Sequence, residues 1–458
     1  MTSINIKQKI TLTNMKKLIR FFKKNGLVSS CYMIKERITR KEDRYVFEDI
    51  DETTYGEQCK MRFLHEPLVS IVVPAYETKS EYLVDMVKSV LSQSYSNLEL
   101  VIADASESDS VKNSLATFND ERIIYIKLDK NKGIASNTNV AIERAVGEYI
   151  GLLDHDDILT KNALHEMIRT INEAKDRGVN VQFIYSDEDK YNEKNGKYFE
   201  PHFKYDFNYD LLLSNNYISH FAVLGSELVK DHKLRDEYNG AQDFDMYLRV
   251  INDIEECQIV HVSKVLYHWR SHEGSTATNP NSKDYAYDAG RRAIEAHLAE
   301  KSIDAEVKFT KHLGFYKVFY KDIFKNRKDV AAYSGYIYEK NRIVGPAYNE
   351  NREILYANEP KHNVGYMNRI ILHQDVYVLD IRNIKFNRLF ENEMIEAIVA
   401  NSSMELAECK NVFDNIDDNA AMIKSEFVRN LDKDQIKRMG EDFARLMRTR
   451  NKRLLLYP

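Results

Sequence analysis

The chain has 458 residues, 43% of them apolar and 30% charged, with a mean hydropathy of −0.52 and a formal net charge of −5. At ~100–200 residues per domain this length holds two to four domains. No run approaches the ~18 consecutive apolar residues of a membrane span, and the N-terminus shows no compact apolar stretch closed by small residues, so neither a transmembrane helix nor a secretory signal is expected.

Charge is uneven along the chain. Residues 1–44 carry twelve Lys/Arg against three Asp/Glu, or +9, which leaves −14 on the rest of a −5 chain. An acidic body of that kind argues against nucleic-acid binding. In MKKLIRFFKK (15–24), Met15, Leu18, Ile19 and Phe22 fall at helical spacing among five basic residues. Such a helix either lies on an anionic membrane surface or packs on the next domain with its basic face in water. Cys31, Cys59, Cys257 and Cys409 are far apart, with no CxxC pair, which fits a reducing compartment and a cytoplasmic location.

From Pro67 onward, apolar runs alternate with helical patterns. VSIVV (69–73) reads as a buried strand, followed by a helix over 81–93 with Ser80 as its N-cap. LELVIAD (98–104) and RIIYIKL (122–128) are the next strands, SNTNVAIERAV (136–146) a helix and EYIGLLD (148–154) a strand. Thr160 is read as the cap of ALHEMIRTINEA (163–174), after which FIYSD (183–187) returns to strand. This alternation predicts an α/β fold with a doubly wound, mostly parallel sheet. Ligands of such sheets bind at the carboxyl ends of the strands. Here those ends are acidic: Asp104, then Asp154-His155-Asp156-Asp157, then Asp187-Glu188-Asp189. Converging carboxylates suit a hard divalent cation, Mg²⁺ or Mn²⁺.

VSIVVPAYE, LELVIAD, NKGIASNTN, LLDHDD, YSDEDK, GAQDFDMYLR and VLYHWRSHEGSTA stand in the order and spacing of glycosyltransferase family 2. The chain resembles that family over about 67–300, and within it a bacterial subgroup of O-antigen and cell-wall polysaccharide enzymes, often rhamnosyltransferases. The resemblance implies a GT-A fold and an inverting, metal-dependent transfer of one hexose or deoxyhexose from a UDP- or dTDP-sugar to a glycan acceptor. It further implies a lipid-linked acceptor and peripheral placement at the inner face of the plasma membrane. By position, Asp104 matches the aspartate that accepts a hydrogen bond from the pyrimidine, which suits the N3–H shared by uracil and thymine. Pro74, Ala75 and Tyr76 resemble the loop framing the base. Lys132, Gly133 and Asn137 resemble the loop that meets ribose or diphosphate. Asp154-His155-Asp156 matches the DxD motif, with Asp156 on the metal and Asp154 on the ribose or a water ligand. His268 falls where some members complete the metal shell, and Arg270 where a cation could meet the diphosphate. Asp243 falls on the general base, with Gln242 where glutamate is commoner, and Asp245 is expected off the reacting face.

These blocks predict three parts: a basic helical extension (1–66), a catalytic domain (67–310) and a smaller α/β accessory domain (311–458). GEDFARLMR (440–448) echoes AQDFDMYLR (241–249), so the last part reads either as a silent second transferase module or as a chance likeness. A silent module would serve the acceptor site or a homodimer. A sugar nucleotidyltransferase is disfavoured because PAYETKSEY (74–82) contains no glycine for a phosphate loop. The remaining alternative is a non-catalytic glycan-binding or scaffold protein on the same fold.

Overall fold

A computed structural model describes Phe22, residues 45–271, 284–310 and 313–335, short strands between 337 and 379, and most of 384–456. The basic helix expected over 15–24, apart from Phe22, and the segment after Ser271 that carries His272 lie outside the described residues. The chain divides into two compact units, one running from Glu42 to Lys301 and the other including Ser302 onward. Among the described residues no helix is long and apolar enough to cross a membrane.

The first unit is built on a nine-stranded sheet. Its strands are β1 (Val69–Ala75), β2 (Leu98–Asp104), β3 (Ile123–Lys127), β4 (Tyr149–Leu152), β5 (Ile158–Leu159), β6 (Phe183–Asn192), β7 (Lys197–His202), β8 (Ala222–Gly225) and β9 (Ile259–Ser271). They lie in the order β3-β2-β1-β4-β8-β6-β9-β5, with β7 paired to β6. The half β3-β2-β1-β4 is parallel throughout. Parallel strands are covered on both faces, and so β1 and β2 read as near-continuous apolar runs with every residue of β2 buried. Beyond β4 the pattern changes: β8 runs antiparallel to both β4 and β6, while β6 and β9 are parallel. The sheet is therefore mixed in this half, within the doubly wound, mostly parallel arrangement expected.

Helices cover the parallel half because their apolar residues recur every three or four positions. In α1 (Ser80–Leu91) Leu83, Met86, Val87 and Val90 are buried, and in α2 (Ala163–Asp176) Leu164, Met167, Ile168 and Ile171. All eight join one core with Val69, Ile71, Val73, Leu100 and Ile102. Two expected caps shift. Ser80 is the first helical residue and Lys79 the cap, while the Ser80 hydroxyl instead accepts from Ser114 Oγ at 2.8 Å. Asn162, not Thr160, flanks α2, and Thr160 Oγ1 donates to its side chain at 3.0 Å.

The second unit carries a five-stranded sheet in the order Phe413–Asn415, Ala420–Ile423, Lys385–Asn387, Val330–Ser334, Arg453–Leu456. Phe386, Met394, Ile398, Phe443 and Met447 form its core with the helices Glu391–Asn401 and Lys433–Thr449. The apolar tail RLLL thus ends as a strand parallel to Val330–Ser334. Asp442, the echo of Asp243, lies mid-helix and accepts from Asn401 Nδ2 at 2.7 Å, whereas Asp243 opens its helix.

Candidate active site

The carboxyl ends of β1, β2 and β4 bring the sequence-derived residues to one rim, as parallel pairing dictates: Ala75 is in register with Asp104, and Asp104 with Lys127. The Asp104 carboxylate is fully buried. It accepts from the Ser106 N–H at 2.9 Å, the Tyr125 hydroxyl at 2.8 Å and Lys127 Nζ at 3.3 Å. Burial and the Asp104 carboxylate together push the Tyr125 hydroxyl up. Beside Asp104, Ala75 is buried and Tyr76 is exposed, with Pro74 between those extremes.

The hydrogen bonds of Lys132, Gly133 and Asn137 run mainly within their own loop. Lys132 N–H donates to Asn137 Oδ1 at 3.2 Å, and Gly133 N–H to Asn131 Oδ1 at 2.9 Å. Gly133 flanks helix α3 (Ile134–Arg144) with φ 99°. The first amides of α3 are already taken: Ala135 N–H donates to Asn239 Oδ1 and Ser136 N–H to Asp236 Oδ1, both at 3.0 Å. A Cβ on Gly133 would lie 2.9 Å from Asn239 Nδ2. Glycine is thus required here by a left-handed backbone and by the capping Asn239. Gly133→Ala should lower stability by about 1 kcal/mol or more, read as a fall in thermal midpoint.

The loop after β4 carries the DxD residues. Asp157 is fully buried and takes the Tyr267 hydroxyl and, at 2.7 Å, the Arg270 N–H. Burial, then the neighbouring Asp156 and Asp154, raise its carboxyl well above the ordinary value. Arg270 is 3% exposed; its Nε donates to the Asp156 carbonyl at 2.6 Å and its guanidinium reaches Asp85 at 3.1 Å, with Tyr82 and Tyr191 rings beside it. Arg270 therefore clamps the DxD loop. That leaves the carboxylates of Asp154 and Asp156 with 40% and 20% exposure, the most accessible acids of the motif.

His268, the expected metal ligand, stands against a carboxylate. Its Nδ1 lies 2.5 Å from Asp189 Oδ1, and its ring packs against Phe47 and Tyr198 at 4.5 and 4.3 Å between centroids. Tyr45 donates to the other Asp189 oxygen at 2.7 Å. Among the described residues no three His, Cys, Asp or Glu side chains converge to hold a metal. The chemistry of Asp154 and Asp156 still fits a hard cation, because Mg²⁺-type sites often use one or two carboxylates and take their other ligands from substrate phosphates and water. On that basis Asp156 and Asp154 would hold it; the Nδ1–Asp189 contact of His268 is also the pairing that a metal-bound imidazole makes through its other nitrogen.

Asp243 is the second residue of α4 (Gln242–Val250). It is half-buried, and its Oδ2 accepts from Asn216 Nδ2 at 2.9 Å. Burial raises its carboxyl above the ordinary value, opposed in part by His220 and assisted by Asp154. Gln242 folds back so that its amide oxygen accepts from the Gly240 N–H at 2.7 Å. Asp245 is buried and paired with Arg235 and Arg249, off the site as expected.

Two site residues escaped the sequence reading. Asn216 and His220 lie in SNNYISHF (214–221), and His220 Nε2 approaches Asp154 Oδ2 at 3.9 Å while its ring stacks on Tyr267. His220 thus acts electrostatically on Asp243 and lies beside Asp154. The YSDEDK acids are all engaged: Asp187 with His261 at 2.8 Å, Glu188 with Lys204 and His202, Asp189 with His268. Burial alone would raise the Glu188 carboxyl, but Lys204, His202 and His220 hold it at about 2. A depressed folded value means this contribution to stability is complete above the ordinary 4.5 and is lost as pH falls towards 2. Acid unfolding followed by circular dichroism should show that loss, and Glu188→Gln should reduce it.

A sequence profile described as "Glycosyl transferase family 2" matches residues 70–232. An uncharacterised protein, y4gI, of Sinorhizobium fredii is 43% identical over 52% of this chain and 26% of its own length. The O-antigen biosynthesis protein RfbC of Myxococcus xanthus is 31% identical over 56% of this chain and 20% of its own. The putative colanic acid biosynthesis glycosyl transferase WcaA of Escherichia coli is 30% identical over 43% of this chain and 74% of its own. The chain belongs to glycosyl transferase family 2, and its α/β sheet is the GT-A arrangement of that family. It spans only about a quarter or less of the first two relatives.

Proposed function

We propose that the chain is an inverting, metal-dependent glycosyltransferase that moves one hexose or deoxyhexose from a UDP- or dTDP-sugar to a glycan acceptor in bacterial surface-polysaccharide synthesis. The observation that carries this reading is the meeting of Asp243, Asn216, His220 and Asp154 beside the part-exposed Asp156 carboxylate. An acceptor hydroxyl is a weak nucleophile, and Asp243 removes its proton as the new bond forms. A lifted carboxyl makes Asp243 a stronger base than a free aspartate, while Asn216 fixes its orientation. Attack opposite the leaving diphosphate inverts the anomeric centre. Mn²⁺ or Mg²⁺, held by Asp156 and Asp154, would neutralise the charge that grows on the diphosphate. Arg270 serves by holding the DxD loop rather than by touching phosphate.

The polysaccharide context is supported by the relatives named for O-antigen and colanic acid biosynthesis. The basic segment 1–44 supports a peripheral position at the cytoplasmic membrane face, next to a lipid-linked acceptor. Thermal shift against UDP-glucose, UDP-galactose, UDP-GlcNAc, dTDP-rhamnose and, as a purine control, GDP-mannose tests the donor. A ligand at 100 times its dissociation constant stabilises by ~2.7 kcal/mol. The reading predicts that one pyrimidine donor stabilises the protein only when Mn²⁺ or Mg²⁺ is present. If none does, the scaffold alternative takes its place.

A further inference from the structure

Lys204 is a cation sealed inside the first unit. Its side chain has no exposed surface, and burial lowers its ammonium below the ordinary value, with Glu188 and Asp187 opposing. Buried ammonium groups are costly and persist where their donors are all used. Here Nζ donates to the Ile218 carbonyl at 2.6 Å and to the His220 carbonyl, and lies 3.5 Å from Glu188 Oε2. The same Glu188 oxygen accepts from the His220 N–H at 3.3 Å. The two charges thus grip the backbone of His220 from both sides.

That backbone belongs to the turn that reaches the candidate active site. Ser219 sits in the left-handed region at φ 39°, a conformation that a serine holds only when its surroundings enforce it. Its N–H donates to Asn216 Oδ1 at 3.2 Å, and its carbonyl accepts from the Tyr247 hydroxyl at 3.1 Å. From this turn Asn216 meets Asp243 and His220 meets Asp154. We propose that Lys204, together with Glu188, is a positioning residue for sugar transfer, holding the 216–220 turn so that Asn216 orients the Asp243 carboxylate and His220 braces Asp154. This rests on the transferase reading above. The pair touches no substrate; it acts through the turn.

The test uses the full chain and two variants, Lys204→Met and the double variant Lys204→Met/Glu188→Met. The single variant strands Glu188 without its main partner, so a loss there does not separate misfolding from positioning. The double variant removes both buried charges, restoring a neutral interior while leaving the turn ungripped. Hydrogen exchange in peptides covering 213–221 needs no substrate. It should quicken at least tenfold in the double variant, with peptides from β1 and β2 unchanged. UDP affinity without metal should stay within about twofold, whereas the metal-dependent part should weaken as His220 releases Asp154. Release of UDP or dTDP from whichever panel donor the wild type hydrolyses should fall at least thirtyfold in kcat with little change in KM. Unchanged exchange overturns the proposal, as does quickened exchange with unchanged kcat. A wild type inactive on the whole panel overturns the transferase reading and the positioning role with it; quickened exchange then leaves Lys204 a purely structural residue.

Discussion

Asp243→Asn should lower kcat by ~10²–10⁴-fold, the usual worth of a general base, while leaving UDP affinity unchanged. Asparagine keeps the size of the side chain, and its amide oxygen can still accept from Asn216 Nδ2, so the turn and the helix start should survive. Only the capacity to take a proton is lost. The sign of the pH dependence follows from burial, which lifts the Asp243 carboxyl above its ordinary value. Activity should therefore decline as pH falls through a value above the free-aspartate range, and that acid limb should vanish from the residual rate of the variant. A lifted carboxyl also means that the folded state disfavours the charged form. Asp243→Asn should accordingly be as stable as the wild type or more so at neutral pH, the sign of a residue kept for chemistry at some cost to stability. A variant that turns over like the wild type would remove Asp243 from the reaction.

Much of this site was legible before any coordinates. β1, β2 and β4 announce themselves as apolar runs because both of their faces are covered, and the acidic ends of β2 and β4 could be placed on one rim from topology alone. Periodicity says nothing about strand direction, so the antiparallel β8 and the mixed half of the sheet went unforeseen. Asn216 and His220 were missed for a related reason. They sit in a turn without hydrophobic period, shaped by a lysine twelve to sixteen positions upstream and by Glu188 on β6. The motif of His268 is visible in the sequence, but its surroundings are not, because Asp189, Phe47 and Tyr198 lie far away in the chain. Likewise, no sequence pattern shows that Asn239 and Asp236, about a hundred residues on, occupy the amides of Ala135 and Ser136 at the start of α3.

Asp156→Ala should abolish the metal-dependent part of donor binding and lower turnover by ~10²–10³-fold or more, the scale on which one electrostatic stabiliser of a transition state is worth removing. The loop around it has two separate jobs, and the substitution touches only one. Its shape is held by the Asp156 carbonyl, gripped by Arg270, and by the buried Asp157 carboxylate, which takes the Tyr267 hydroxyl and the Arg270 N–H. Alanine keeps the carbonyl and leaves Asp157 alone, so the fold should stand. Asp157→Ala is the informative contrast. It leaves a buried hydroxyl and a buried N–H without their acceptor, so it should lower the thermal midpoint as well as activity. Thermal shift with UDP and Mn²⁺ separates the two: Asp156→Ala should keep the wild-type midpoint without ligand and lose the shift that the metal adds. Were Asp156→Ala instead to retain the full metal-dependent shift, the cation would have to be held by Asp154 and the nucleotide alone, and the accessible carboxylate of Asp156 would need another role.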